Sequence, residues 1–237
     1  MQLLISPSSE EEALECVKGK ADIIDVKNPL EGSLGANFPW VIRNIRELVP
    51  ETTPISATIG DVPFKPGTVA LAALGASQAG ATFIKVGLYG TRTLEEALQV
   101  MRAVTQTVDE YQLSVSIVAA GYAEGERINS ISPAFLPVIA SETFCDYVMI
   151  DTFDKTSDQS IFDIIPLNTL ENFMQQARDL QLGTALGGSI NLEHIPILKR
   201  LQPEIVGIRG AVCERGDRLK GKIRAELITV FKNMLSD

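Results

Sequence analysis

Eight short apolar runs, each followed by a stretch with helical spacing, restrict the folds open to this chain more than any other feature. The runs are Leu3 to Ser6, Asp22 to Lys27, Ile55 to Ile59, Thr82 to Gly87, Val115 to Ala120, Tyr147 to Asp151, Thr184 to Gly188 and Ile205 to Arg209. They are nearly continuous in Ile, Val, Ala and Leu, as strands buried on both faces are, whereas half-solvated strands alternate. Between them, residues such as Leu94, Ala97, Leu98, Met101, Val104 and Val108 recur three and four apart and make one apolar helical face. Thr93 with Glu96, and Ser9 with Glu12, have capping-box spacing at two helix starts. A last helix over Ile223 to Leu235 completes the alternation. Eight βα units predict an α/β fold closed into a (β/α)8 TIM barrel rather than an open doubly wound sheet. The 237 residues suit one such domain over 1–237, since this barrel typically takes about 250.

Charge and cysteine content narrow the function. A formal net charge of -9 opposes non-specific binding to nucleic acid or anionic membranes, which needs clustered basic residues. Any anionic substrate must therefore be held by local groups. The three cysteines, Cys16, Cys145 and Cys213, are odd in number and far apart, which argues against a disulfide framework and a zinc site. A reducing cytoplasm is the expected compartment, and no metal cluster is visible. The opening Met1-Gln2-Leu3-Leu4-Ile5-Ser6-Pro7 is too short an apolar run for a signal peptide or a span, so a soluble, unprocessed protein is expected. Association into a homo-oligomer is also expected.

In such barrels the site forms at the C-terminal ends of the strands. Here those ends are polar: Asp25 and Lys27 on the second strand, Lys85 on the fourth, Asp151 on the sixth and Arg209 on the eighth. The period of two puts Asp25 and Lys27 on one face, opposite Ile24 and Val26. If Ile24 and Val26 pack on helices, the charged pair points into the barrel. The same reasoning turns Lys85 inward, and Asp151 faces the same mouth. Two neighbouring ammonium groups disfavour double protonation, so one lysine is a candidate for a lowered pKa. Moving it from about 10.4 to about 7 takes roughly 4 to 5 kcal/mol, which calls for burial and a like charge together. A neutral lysine can attack a carbonyl to form a Schiff base while the other lysine and the aspartates move protons. The alternative is an ion-pair network that fills a polar layer of the barrel and does no chemistry.

Gly187-Gly188-Ser189 and Arg209-Gly210 follow the seventh and eighth strands, where this fold often binds phosphate through backbone N–H groups. Ordinary tight turns are the plain alternative. The second βα loop, Asn28 to Asn37, either folds over the site or lies on the surface. The third, Gly60 to Gly67, is stiffened by two prolines and offers Asp61 and Lys65, with a site role open. Lys155 sits in a loop that either closes on a second phosphate or lies in solvent. His194 reads as a surface or capping residue at the start of the helix after the seventh strand, and Trp40 as helix packing.

Several long segments carry a resemblance. Asp25-Val26-Lys27-Asn28-Pro29 and Gly32 through Trp40, Gly60-Asp61-Val62-Pro63, Ile84 through Gly90 and Val118 through Tyr122 resemble the (5-formylfuran-3-yl)methyl phosphate synthases, also called 4-(hydroxymethyl)-2-furancarboxaldehyde-phosphate synthases. The resemblance continues through Met149 to Thr152, Gly188 to Ile190, His194 to Lys199 and Val206 to Gly210, and so spans essentially the whole chain. It implies a lyase of methanofuran-type cofactor biosynthesis that condenses two molecules of glyceraldehyde 3-phosphate, releases phosphate and water, and needs no cofactor. It implies that Lys27 is the Schiff-base lysine, that Lys85 and Asp151 transfer protons, and that Lys155 is a further site lysine. Gly187, where relatives are expected to carry alanine, and the segment Thr156 to Pro166 depart from the family pattern. The candidate site is thus Lys27, Lys85 and Asp151 for catalysis, with Asp25, Lys155, Gly188, Ser189, Arg209 and Gly210 for substrate or phosphate. A Schiff-base aldolase of another phosphorylated sugar, or a phosphosugar-binding barrel without catalysis, would share the barrel, the lysines and the glycine turns.

Overall fold

The computed structural model describes residues 1–157 and 159–236. Eight parallel strands close on themselves in chain order: β1 (Gln2–Ile5), β2 (Ile23–Val26), β3 (Ile55–Thr58), β4 (Phe83–Gly87), β5 (Ser116–Tyr122), β6 (Tyr147–Asp151), β7 (Gly183–Leu186) and β8 (Ile205–Ile208). Closure comes from the parallel pairing of β1 with β8. All eight expected strands are present, and the TIM barrel is therefore the observed fold. The helices are α1 (Glu10–Lys18), α2 (Pro39–Leu48), α3 (Pro66–Gln78), α4 (Leu94–Glu110), α5 (Leu136–Glu142), α6 (Ile161–Ile164), α7 (Leu167–Asp179), α8 (Ile195–Leu201) and α9 (Ala225–Ser236). No helix among the described residues is long and apolar enough to cross a membrane.

The period-two reading of the strands sorts the side chains into two layers. Leu3, Ile5, Ile24, Val26, Ile84, Val86, Val148, Ile150, Val206 and Ile208 belong to the large cluster that packs the strands on the helices. Leu4, Ile23, Val118, Ala120, Met149, Ala185 and Ile205 form a smaller, separate cluster that fills the barrel. Ile24 and Val26 thus point outward, which leaves Asp25 inward, one step above Ile23. The interior changes character along its axis, from these apolar residues to Ser6, Asp25, Ser56, Lys85 and Asp151 at the C-terminal end. Register aligns them: Asp25 pairs with Ser56, Thr58 with Lys85, and Tyr122 with Asp151.

The helix starts follow the sequence with one instructive exception. Thr93 and Glu96 make both bonds of the capping box at α4. At α1, Ser9 accepts from the Glu12 N–H, but the Glu12 carboxylate turns elsewhere. It takes a bidentate grip from Arg209, with Nη1 to Oε2 at 2.8 Å and Nη2 to Oε1 at 3.1 Å, plus bonds from the Ser8 N–H and hydroxyl. Burial would push this carboxyl up, yet the Arg209 and Ser8 hydrogen bonds and the Arg209 charge hold it below the usual range. A guanidinium enclosed with its carboxylate ties the end of β8 to α1, across the seam where the barrel closes. Trp40 departs from expectation: it is 55% exposed and stacks on Phe38, with ring centroids 4.6 Å apart, instead of packing into the helix layer.

Removing one partner of a buried ion pair leaves the other charge enclosed and alone, at a cost of about 3–5 kcal/mol. Glu12→Ala is accordingly expected to lose stability of that order in equilibrium urea unfolding. A loss under about 1 kcal/mol, the value of an exposed pair, would show that the seam does not depend on it.

Candidate active site

A cavity of about 440 Å³ opens at the C-terminal end of the barrel, within the usual range of about 300–1,000 Å³ for small-molecule sites. Asp25, Lys27, Lys85, Asp151, Lys155, Gly188, Ser189, Arg209 and Gly210 all line it, so every candidate site residue comes together. At its floor Asp25, fully enclosed, accepts from Lys85 Nζ at 2.8 Å, from Ser6 Oγ at 2.9 Å and from Ser56 Oγ at 2.8 Å. Burial would raise the Asp25 carboxyl, but the charges of Lys85 and Lys27 and these bonds keep it below the ordinary carboxylate range. Asp25 is thereby committed to holding Lys85, with three donors already on its two oxygens.

A second pair stands on β6. Lys155 Nζ ion-pairs with Asp151 and bonds Thr152 Oγ1 at 3.0 Å, while the Thr152 N–H donates to Asp151 Oδ1 at 2.8 Å. Lys155 is therefore neither in solvent nor a free anion clamp. Burial opposes the charge on Asp151, but Lys155 and Lys27 together bring its pKa to about 2. Burial lowers the Lys155 pKa, against the pull of Asp151.

Lys27, 6% exposed, is left over: its amine has no ion pair among the described residues, since Asp25 serves Lys85 and Asp151 serves Lys155. Burial is the largest influence on it and lowers its pKa to about 7, with Asp151 opposing and then Lys155 and Lys85 adding like charge. That displacement corresponds to about 5 kcal/mol in favour of the neutral amine. Of the two causes expected from sequence, burial ranks first, and the like charge of Lys85 ranks behind that of Lys155.

Loops frame the mouth. The Asn28 to Asn37 loop folds inward: Ser33 Oγ donates to the Thr152 carbonyl at 2.7 Å, and the Leu34 N–H donates to Asp61 Oδ2 at 3.1 Å. Gly32 has φ +133°, and a Cβ there would lie 2.1 Å from Asp61 Oδ2, so the loop can reach this position only through glycine. The other Asp61 oxygen takes the Tyr122 hydroxyl, and burial raises the Asp61 pKa. Asp61 therefore holds the loop, while Lys65 is exposed at the start of α3. His194 plays the capping role, its Nδ1 accepting from the Asn191 N–H at 3.1 Å.

At the glycine turns, Gly188 has φ +107°, and a Cβ would come within 2.7 Å of Thr152 Cγ2. Ser189 follows at φ 50°, a left-handed conformation uncommon outside glycine, and such strain concentrates at ligand sites. No described residue accepts from the N–H groups of Gly188, Ser189 or Gly210. Arg209 is different, and the expectation that it meets phosphate is corrected. Its five N–H groups go to the Arg218 carbonyl (3.0 Å), the Ser6 carbonyl (2.7 Å), Ser8 Oγ (3.3 Å) and both Glu12 oxygens. None remains for a ligand. Of the divergent segment, Thr156 and Ser157 line the cavity, and Asp158 lies outside the described residues.

Four contributors went unnoticed in the sequence. Ser6 and Ser56 were detectable, because each sits on the inward parity of its strand at the Asp25 level. Glu12 was masked by its capping-box spacing. Arg218, which lines the cavity from the loop after β8, carries no periodic signal. Among the described residues no three His, Cys, Asp or Glu side chains are gathered as metal ligands would be.

A parallel barrel whose C-terminal mouth holds two buried lysines, a half-buried third and two carboxylates around a small-molecule cavity defines an enzyme of the TIM-barrel class. The solved structures agree in fold: phosphoribosyl anthranilate isomerase from Thermus thermophilus has a TM-score of 0.64 at 17% identity, covering 100% of this chain and 98% of that one. 3-Hexulose-6-phosphate synthase has 0.62 at 18% identity, covering 98% and 99%. The sequence relationship is far closer elsewhere. The model of the 4-HFC-P synthase family matches residues 3–232. The (5-formylfuran-3-yl)methyl phosphate synthases of Methanopyrus kandleri and Methanothermobacter thermautotrophicus are 52% and 50% identical, each over 99% of this chain and 99% of its own. The chain belongs to the 4-HFC-P synthase family.

The electrostatics set an expected titration. Lys27 should react with an amine-directed reagent such as trinitrobenzenesulfonate with a midpoint near pH 7, rising with pH as the proton leaves. A midpoint near 10, read by peptide mass spectrometry, would mean that burial does not neutralise this amine.

Proposed function

We propose that this enzyme condenses two molecules of glyceraldehyde 3-phosphate into (5-formylfuran-3-yl)methyl phosphate through a Schiff base on Lys27. The observation that carries this reading is the unpaired, desolvated Lys27 amine beside two carboxylates that are each occupied by another lysine. Membership of the family, whose relatives bear that product in their name, supplies the furan.

Neutral Lys27 attacks the aldehyde carbon of the first triose, and loss of water gives an iminium. The iminium acidifies the adjacent C–H, which a carboxylate at the mouth removes. Asp151, ionised across the physiological range, is that base. The resulting enamine pushes out the phosphate one carbon further on, leaving a conjugated iminium. The second triose, as its enediol, adds through its central carbon to the terminal carbon so exposed. The hydroxyl of the first triose then closes on the aldehyde of the second. Loss of two hydroxyl groups as water, with proton help from Lys85, gives the aromatic ring, and hydrolysis frees Lys27. The balance is two trioses in, and one furan phosphate, one phosphate and two waters out, with no oxidant or reductant. The backbone N–H groups of Gly188, Ser189 and Gly210 receive a substrate phosphate. Lys155, held on Asp151, keeps that carboxylate oriented and adds positive charge where phosphate departs. Asp25 serves by fixing Lys85 rather than by gripping substrate. The chemistry fits a cytoplasmic enzyme acting on small phosphorylated metabolites.

Incubation with glyceraldehyde 3-phosphate should generate a furan ultraviolet band and stoichiometric phosphate; a simple aldol product with no phosphate release would replace this reading with the aldolase. Borohydride added during turnover should trap an adduct on Lys27, lost in Lys27→Arg, and an adduct on Lys85 would exchange the two roles. Lys85→Ala and Asp151→Asn should each lower kcat by about 10²- to 10⁴-fold, as loss of a general acid or base does.

A further inference from the structure

The phosphate cradle has backbone donors but, with Arg209 fully committed, no evident cationic side chain of its own. We propose that Arg218 is that side chain, gripping a substrate phosphate at the glycine turns while Arg209 serves only to position it. The proposal rests on the reading above that the substrates are phosphorylated.

Arg218 lines the same cavity as Gly188, Ser189 and Gly210. It stands close to the eighth-strand turn, since a Cβ on Gly210 would lie 3.7 Å from the Arg218 Cβ. Its Nε is the one enclosed side-chain nitrogen or oxygen without a hydrogen-bond partner among the described residues. A folded protein rarely leaves such a group unsatisfied, and where it does, an unfilled ligand role is a standard reason. The guanidinium also makes no ion pair among the described residues, although Asp151 is the opposite charge that acts on it most. Asp151 has been taken by Lys155.

The surroundings hold Arg218 ready. Its own carbonyl accepts from Arg209 Nε at 3.0 Å, so the chain of contacts runs from Glu12 through Arg209 to the backbone at 218. The loop that carries it is self-bonded: the Gly221 N–H meets the Asp217 carbonyl at 2.8 Å, the Glu214 N–H meets the Lys222 carbonyl at 3.0 Å, and Cys213 bridges Ile223. An arginine on an ordered turn, beside unpaired backbone N–H groups, presents a planar fork suited to two oxygens of a phosphate monoester. The two arginines of this corner thus divide the work, one inside the scaffold and one toward the ligand.

The test titrates inorganic phosphate calorimetrically into the wild-type protein, Arg218→Gln, Arg218→Lys and Arg209→Gln, with melting temperatures measured in the absence of phosphate. Arg218→Gln should weaken phosphate binding by about tenfold or more, with Arg218→Lys in between because it keeps charge without the fork. Its melting temperature without phosphate should match or exceed that of the wild type, since no hydrogen bond or ion pair of the guanidinium among the described residues is lost. Arg209→Gln should melt lower in the same buffer. Unchanged phosphate affinity in Arg218→Gln, no phosphate binding by the wild type, or a fall in melting temperature matching that of Arg209→Gln would overturn the proposal. Turnover is read separately. Furan formation by the wild type with phosphate binding intact in Arg218→Gln defeats only this inference. Loss of phosphate affinity in Arg218→Gln without any furan from the wild type defeats only the synthase reading.

Discussion

Three lysines and two aspartates share the mouth of this barrel, and each aspartate can neutralise only one lysine at contact distance. Asp25 takes Lys85 and Asp151 takes Lys155. The third lysine then sits in a desolvated site with no carboxylate left to pair with it, where the ammonium form is the expensive one. The lowered pKa of Lys27 is therefore a property of the group and not of the residue. Removing Asp25 would free Lys85 to repel Lys27, but it would also free the floor of the site to rearrange. Adding a third carboxylate would restore the proton to Lys27 and leave a polar layer with no nucleophile.

That arrangement needs a scaffold that keeps the charges in register. Parallel pairing sets Asp25 level with Ser56 and Thr58 level with Lys85, so the floor is built from adjacent strands with no loop involved. Ser6 and Ser56 complete Asp25 with neutral donors, which lets a buried carboxylate stay ionised without recruiting Lys27. Above this rigid floor the loops are cross-tied to one another, Ser33 to Thr152 and Leu34 through Asp61 to Tyr122.

Strand parity explains how much of this was legible in the sequence. A period of two separates Asp25 and Lys27 from Ile24 and Val26 without reference to any neighbour, so the barrel, the inward charges and the glycine turns were all readable. Which charge pairs with which was not, because pairing depends on the order of strands around a closed ring and on where a long side chain ends. Lys155 illustrates this: its place four residues after Asp151 suggested a loop lysine, but its amine returns to the strand end. Glu12 and Arg209, nearly two hundred residues apart in the chain, meet only because β1 and β8 close the barrel. The long-range closure thus turned a presumed phosphate ligand into a strut and a presumed helix cap into its anchor.

The global charge poses a further constraint on the proposed binding of doubly charged phosphates. A chain with a net charge of -9 repels them at long range, but over more than about 8 to 10 Å that field is screened at physiological salt. Inside the cavity the balance reverses: Lys27, Lys85, Lys155, Arg209 and Arg218 line it with Asp25, Asp151 and Asp217. With Lys27 neutral the lining still carries one positive charge in excess, and backbone N–H groups at the glycine turns add partial positive charge at no cost in protonation. For the proposed substrates, selectivity for an anion would therefore arise only after entry, where low dielectric makes each unpaired donor count. Burial, with the like charges of Lys155 and Lys85 working against Asp151, brings the Lys27 pKa to about 7, so a large fraction of the one amine that has no carboxylate is neutral before substrate arrives.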